Sequence, residues 1–95
     1  MKTFKFNGVV SDNDFEEIYD WLGMECVTPK KVADFLNEAS GEDVTIQINS
    51  GGGSVFAGSE IFTDLSKYQG KVIVEISGIC ASAATFPLLA ADSVG

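Results

Sequence analysis

The stretch that decides the fold begins Val44-Thr45-Ile46-Gln47-Ile48-Asn49-Ser50-Gly51-Gly52-Gly53-Ser54-Val55-Phe56-Ala57-Gly58 and ends Lys71-Val72-Ile73-Val74-Glu75-Ile76-Ser77. Val44, Ile46 and Ile48 alternate with Thr45, Gln47 and Asn49, the period-two pattern of a strand over 44–49. Three glycines punctuate the chain, and Ser54 is suited to cap a following helix. Val55, Gly58, Ile61, Phe62, Leu65 and Tyr68 fall at helical spacing, so a helix is predicted over 55–68, ended by Gly70. Val72, Ile73, Val74 and Ile76 form a β-branched run that suits a buried strand over 71–77. A strand–helix–strand unit of this length joins parallel strands by a right-handed crossover. The turns after both strands therefore fall on one carboxyl edge, where open α/β sheets bind ligands.

Working outward, Phe4 and Phe6 alternate with Thr3, Lys5 and Asn7 and lead into Val9-Val10, a first strand over about 3–10. Phe15, Ile18, Tyr19 and Leu22 lie at helical spacing within 12–22. Asp14, Glu16 and Glu17 sit in its first turn, where the helix dipole favours acids, and Gly23 is placed to end it. The acids lack calcium-loop spacing and read as a solvated helix start. Thr28-Pro29 is a cap followed by a first-turn proline. Val32, Phe35, Leu36 and Ala39 form one apolar stripe, closed by Ser40-Gly41. Gly78 turns the chain into a short helix over about 82–91. Alternating strands and helices call for an α/β fold with a largely parallel sheet.

Composition narrows the chemistry. The 95 residues carry 14 acidic and 6 basic side chains, a net charge of −8. That argues against nucleic acid and anionic membrane as partners, since both need a basic face. There is no histidine, which removes imidazole bases, histidine metal ligands and a self-contained Ser-His-Asp triad. No metal site and no cofactor is expected. Cys26 and Cys80 lie far apart and read as small buried or half-buried thiols. No apolar signal core and no stretch long enough to span a bilayer is legible, which points to a cytoplasmic protein.

The two turns on the carboxyl edge make a specific chemical arrangement. Gly51, Gly52 and Gly53 leave backbone N–H groups uncovered beside a helix start, an arrangement that stabilises negative charge developing on an oxygen. Ser82 stands at a strand-to-helix turn after the small residues Cys80 and Ala81, with the Ala83 N–H beside it. A glycine triplet is also simply a tight turn, and a serine at a helix start is also an N-cap. The phosphate-loop and dinucleotide spacings are not met.

At these residues the chain resembles the Clp-type serine proteases, the caseinolytic proteolytic-subunit family, and within it the prophage branch related to head maturation proteases. Ile48-Asn49-Ser50-Gly51-Gly52-Gly53-Ser54-Val55-Phe56-Ala57-Gly58 is similar to that family's Asn-Ser-Pro-Gly-Gly-x-Val-x-Ala-Gly. Gly78-Ile79-Cys80-Ala81-Ser82-Ala83-Ala84 is similar to its Gly-x-Ala-Ala-Ser motif. The resemblance implies an α/β fold of the Clp protease/crotonase type, present here as a truncated N-terminal portion, 1–95, of one domain. It implies Ser82 as nucleophile, Gly52 and Ala83 as oxyanion-hole donors, and Gly51, Gly53 and Ser54 as the substrate-side turn. It implies a peptide or protein substrate, a ring-forming homo-oligomer, and an unfoldase or phage capsid proteins as partners.

The chain departs from the family at several positions. Gly51 replaces the family's proline and Cys80 an alanine. Pro87 stands five residues into the helix expected to open at Ser82, where it should kink or delay that helix. The family's histidine and aspartate would lie beyond Gly95. No lysine is placed to substitute: Lys71 begins the strand that ends near Gly78, about 23 Å from it, Lys67 lies on that same far edge, and Lys30 and Lys31 start a different helix. Little or no peptidase turnover is therefore expected of the chain alone. A catalytically dead scaffold or assembly subunit is the competing reading. A crotonase-type acyl-CoA enzyme is disfavoured by the scarcity of basic groups for a CoA phosphate.

Overall fold

Five strands, all parallel, form one sheet in the order β2-β1-β3-β4-β5. They are β1 (Lys2–Val10), β2 (Cys26–Val27), β3 (Val44–Gly53), β4 (Val72–Cys80) and β5 (Ser93–Val94). The structure is a computed structural model and describes residues 2–95. The helices are α1 (Glu16–Trp21), entered by a 3-10 turn at Asn13–Phe15, then α2 (Pro29–Ala39), α3 (Val55–Lys67) and α4 (Phe86–Ala90), entered by a 3-10 turn at Ser82–Thr85.

The register puts Phe6 beside Ile48, and Ile46 between Phe4 and Val74. Phe6, Val10, Val44, Ile46, Ile48, Val72 and Val74 form a buried cluster with Val32, Leu36 and Ala39 of α2 and Ala57, Ile61 and Leu65 of α3. Ala83 and Ala84, just after Ser82, complete it. Each large side chain wholly removed from water here contributes roughly 1.5–3 kcal/mol. The Phe4 ring packs 5.3 Å from that of Phe35, tying β1 to α2.

Both expected caps form. Thr28 Oγ1 accepts the Lys31 N–H at 3.2 Å with Pro29 in the first turn of α2, and Ser54 Oγ accepts the Ala57 N–H at 3.1 Å at the start of α3. Ser40 takes a left-handed conformation, φ 50°, and ends α2 as expected. Gly23, φ 72°, follows α1.

Several expectations are corrected. The strand expected over 44–49 runs on to Gly53, so the triple glycine is the end of β3 rather than a turn. The strand keeps pairing with β1 past a register shift, with Val9 opposite Gly52 and Val10 opposite Gly53. Likewise β4 extends to Cys80 through a second shift after Ile76. The short flanking strands β2 and β5 carry no periodic signal, being two residues each. Val55, placed on the inner face of its helix, is exposed, as is Ile76 of the strand expected to be buried. Of the apolar residues at helical spacing within 12–22, Phe15, Ile18 and Leu22 are also exposed and Tyr19 is half-buried. Among the described residues no helix is long and apolar enough to cross a membrane. No group of three or more His, Cys, Asp or Glu side chains there could hold a metal ion.

Candidate active site

The two motifs meet. A methyl group added to Gly52 would lie 2.6 Å from Cβ of Ser82, 2.9 Å from the Ala81 carbonyl oxygen and 3.1 Å from the Ala83 nitrogen. Real Cβ atoms do not approach that closely, so only glycine lets β3 run against the Ser82 turn. The parallel crossover brings the end of β3 and the end of β4 to one edge, and the glycine lets their backbones touch.

Ser82 itself has φ 51°, left-handed backbone that a non-glycine residue rarely adopts. Strain of this kind is retained where the surroundings over-determine it, as at strand-to-helix elbows that expose a nucleophile. Its hydroxyl makes no hydrogen bond to the described residues and the side chain is exposed, so Ser82 is not a capping serine. The residue at the capping position is Ala81. Ala83, in the first turn of the following helix, has an N–H of the kind helix starts leave without an intrahelical partner.

Pro87 does delay the helix. A 3-10 turn occupies Ser82–Thr85, and α4 begins only at Phe86 with Pro87 in its first turn. There the missing N–H belongs to the groups a helix start leaves unpaired anyway, so the penalty of an interior proline does not arise.

Sequence reasoning missed the residues that hold these two segments in place. Ser50 is buried; its hydroxyl donates to the Gly8 carbonyl and accepts the Gly52 N–H at 3.2 Å. The Gly52 N–H is therefore already engaged, through a long bond, and an oxyanion arriving there would have to take it from Ser50. Asn49 Oδ1 accepts the Ile79 N–H at 3.1 Å, spanning the gap where β4 leaves its register with β3. Gly78, packed against the Asn49 side chain, has no room for a side chain of its own, since a Cβ there would lie 2.3 Å from Asn49 Oδ1. Asn49 and Ser50 both sit within the quoted motifs, Asn49 in the outward phase of the strand and Ser50 in the inward phase, but neither phase tells what the side chain bonds. Gly58 works from the other side: a Cβ on it would meet the Phe86 ring at 2.6 Å, so α3 packs directly on the segment after Ser82.

Next to the glycines lies an open cleft of ≈ 660 Å³ lined by Gly8, Val9, Met24, Glu25 and Gly51–Gly53. Ser54 does two tasks, capping α3 and donating to Asp12 Oδ1 at 3.1 Å, which ties the far side of the glycine segment to the loop after β1. Cys80, half-buried two residues before Ser82, donates its thiol to the Ala84 carbonyl at 3.4 Å, and burial pushes its pKa up. Both cysteines are free thiols. Two of the lysines are occupied elsewhere: Lys31 Nζ donates to the Cys26 carbonyl at 3.1 Å, and Lys30 pairs with Asp34.

A parallel sheet whose glycine-rich strand end abuts a serine on a strained strand-to-helix turn defines an α/β scaffold with two motifs brought to one edge. The chain belongs to the Clp protease family, whose model matches residues 28–95. Among solved structures, ClpP1 from Listeria monocytogenes is similar over 94% of this chain, at 28% identity and a TM-score of 0.71, and an asparagine-to-aspartate variant of that protein gives the same values. The match covers 46% of the ClpP1 chain, so this chain spans just under half its length. No match is found among curated proteins.

Proposed function

We propose that this chain supplies the nucleophile and oxyanion side of a serine endopeptidase of the Clp type. In this reading Ser82 attacks the peptide carbonyl, and the N–H groups of Gly52 and Ala83 receive the oxygen as it becomes negative. Gly51, Gly53 and Ser54 shape the strand end along which an extended peptide lies. The observation that carries the reading is the contact of Gly52 with Ser82, Ala81 and Ala83, together with the left-handed backbone and free hydroxyl of Ser82. The neighbouring open cleft offers space for a peptide or protein substrate.

The proton of Ser82 needs a base, and the sequence holds no histidine. The chain is accordingly read as the N-terminal portion of one Clp-protease-like domain whose histidine and aspartate lie outside these residues. Loss of the base in Ser–His enzymes costs on the order of 10⁶-fold in kcat. Negligible turnover is expected from the chain alone. By family likeness the assembly is a homo-oligomer in the cytoplasm, of prophage origin, fed by an unfoldase or acting on capsid proteins.

The test is a fluorophosphonate probe read by intact mass and peptide mapping. The chain alone is expected to label slowly and incompletely, and imidazole added to solution to accelerate labelling at Ser82. Absence of the adduct from the Ser82→Ala variant completes the assignment. Rapid stoichiometric labelling without imidazole overturns the predicted inactivity. Absence of any Ser82 adduct with imidazole favours instead a catalytically dead scaffold, a reading the missing histidine also supports.

A further inference from the structure

Helix α1 is built inside out. Its inner contacts are polar: Glu16 Oε1 accepts the hydroxyl of buried Thr28 at 3.2 Å, and Asn13 Oδ1, one turn earlier, accepts the Lys30 N–H at 2.9 Å. These bonds fasten the segment to the start of α2. Tyr19 is half-buried, but the other apolar side chains of the segment point to water, with Phe15 49%, Ile18 52%, Leu22 54% and Trp21 85% exposed. At 3.6 residues per turn the four fall within an arc of about 120°, a single stripe. Met24, just beyond the helix, is exposed beside it.

An exposed apolar patch rimmed by polar residues marks an interaction site on a soluble protein. The rim here has one sign. Asp14, Glu17, Asp20 and Glu25 are exposed in the same stretch of chain, and no basic residue occurs between Lys5 and Lys30. Lys30–Asp34 is the one ion pair among the described residues, so none of these four acids is neutralised by a salt bridge. A second copy of this face would set these acids against one another, and an anionic membrane would be repelled.

We infer that this face is a docking surface for a cationic amphipathic segment of another protein. The partner's apolar side chains, at helical spacing, cover Trp21, Ile18 and Leu22, and its flanking lysines or arginines meet the acidic rim. Large apolar anchors enclosed by complementary charge are the usual energetic centre of such contacts.

Trp21 is the only tryptophan, so its emission reports directly on the stripe. The probes are a synthetic peptide of leucine and lysine at helical spacing and its leucine–glutamate counterpart. The lysine peptide is expected to shift Trp21 emission to the blue, saturably, with affinity falling as salt is raised; the glutamate peptide is expected to leave it unchanged. The double variant I18S/L22S keeps the charge and alters exposed positions only. It should retain its circular dichroism spectrum and bind about tenfold more weakly or worse. The charge variant E17K/D20K should weaken binding with the stripe intact. Equal affinity of I18S/L22S for the lysine peptide would reduce the contact to charge alone and overturn the inference. Comparable shifts from the glutamate peptide or from neutral phosphatidylcholine vesicles would overturn it too. So would a blue shift that grows with protein concentration without peptide and vanishes in I18S/L22S, because the occupant would then be a second copy.

Discussion

Three neighbouring glycines do three different things. Gly51 has open space where a side chain would go, Gly52 is pressed on Ser82, and a Cβ on Gly53 would lie 2.1 Å from the Val10 carbonyl oxygen. Composition showed only that glycine was needed somewhere in this triplet; which residue is irreplaceable depends on what β1 and β4 bring alongside. The same holds for Ser82. Its place after a strand was legible from the run 71–81, whereas its strained φ and free hydroxyl follow from contacts no local pattern encodes. Gly52→Ala should therefore be costly. The atoms in its way are backbone or Cβ atoms that cannot swing aside, and φ 103° disfavours any side chain. Backbone strain alone costs about 1–3 kcal/mol, seen as a lower urea midpoint at unchanged slope. Gly51→Ala should change stability by no more than about 0.5 kcal/mol, as surface substitutions usually do. Equal midpoints for the two variants would mean that the strand end is loose enough to part from Ser82.

Among the elements, those with strong period and caps were legible: α2 and α3 occupy the expected residues, with Thr28 and Ser54 as their caps. Legibility failed where tertiary pairing decides. A two-residue strand such as β2 exists because Cys26 and Val27 lie beside Val9 and Val10, not because of any pattern of its own. The apolar spacing of α1 was read correctly as helical, but periodicity says that a stripe exists and not which way it faces. Glu16 and Asn13 decide that by bonding inward. The Ser54 cap is the element whose loss bears most directly on the site, because it fixes the start of α3 beside the glycine strand end. Ser54→Ala removes the acceptor for the Ala57 N–H and the donor to Asp12. A loss of about 1 kcal/mol is expected, the usual cost of a deleted N-cap. Ser54→Asp tests the origin of that loss. It restores a capping acceptor but sets a second carboxylate against Asp12, so it should recover only part of the stability at neutral pH. Full recovery at neutral pH would show that the bond to Asp12 contributes nothing.

At the scale of the whole molecule, the sheet is closed on neither side. β2 protects only the last two residues of β1, and β5 pairs only with Ile73 and Val74 of β4. Backbone bonds from the Asp92 N–H to the Val72 carbonyl, from the Gly95 N–H to the Val74 carbonyl and from the Ile76 N–H to the Gly95 carbonyl extend that edge. Beyond it β4 runs to Cys80 past Ser77, Gly78 and Ile79 with no strand alongside on that side among the described residues. Ile76, Ile79 and Val94 are exposed along this edge, and Leu89 of α4 is exposed as well. Unpaired backbone groups flanked by apolar side chains are a template for another chain. This edge is thus covered for part of its length, and the part left open adjoins the Ser82 turn. Self-association at micromolar concentration is expected through this edge, visible as a mass above the monomer in light scattering. Ile79→Lys places a charge where the incoming strand would lie, and should weaken association about tenfold, or ~1.4 kcal/mol. I18S/L22S, on the far side of the sheet order, should leave it unchanged. The two variants therefore separate an edge-to-edge contact from one made by α1. A monomeric wild-type chain at these concentrations would show that the two residues of β5 and the bond to Gly95 suffice to block the edge.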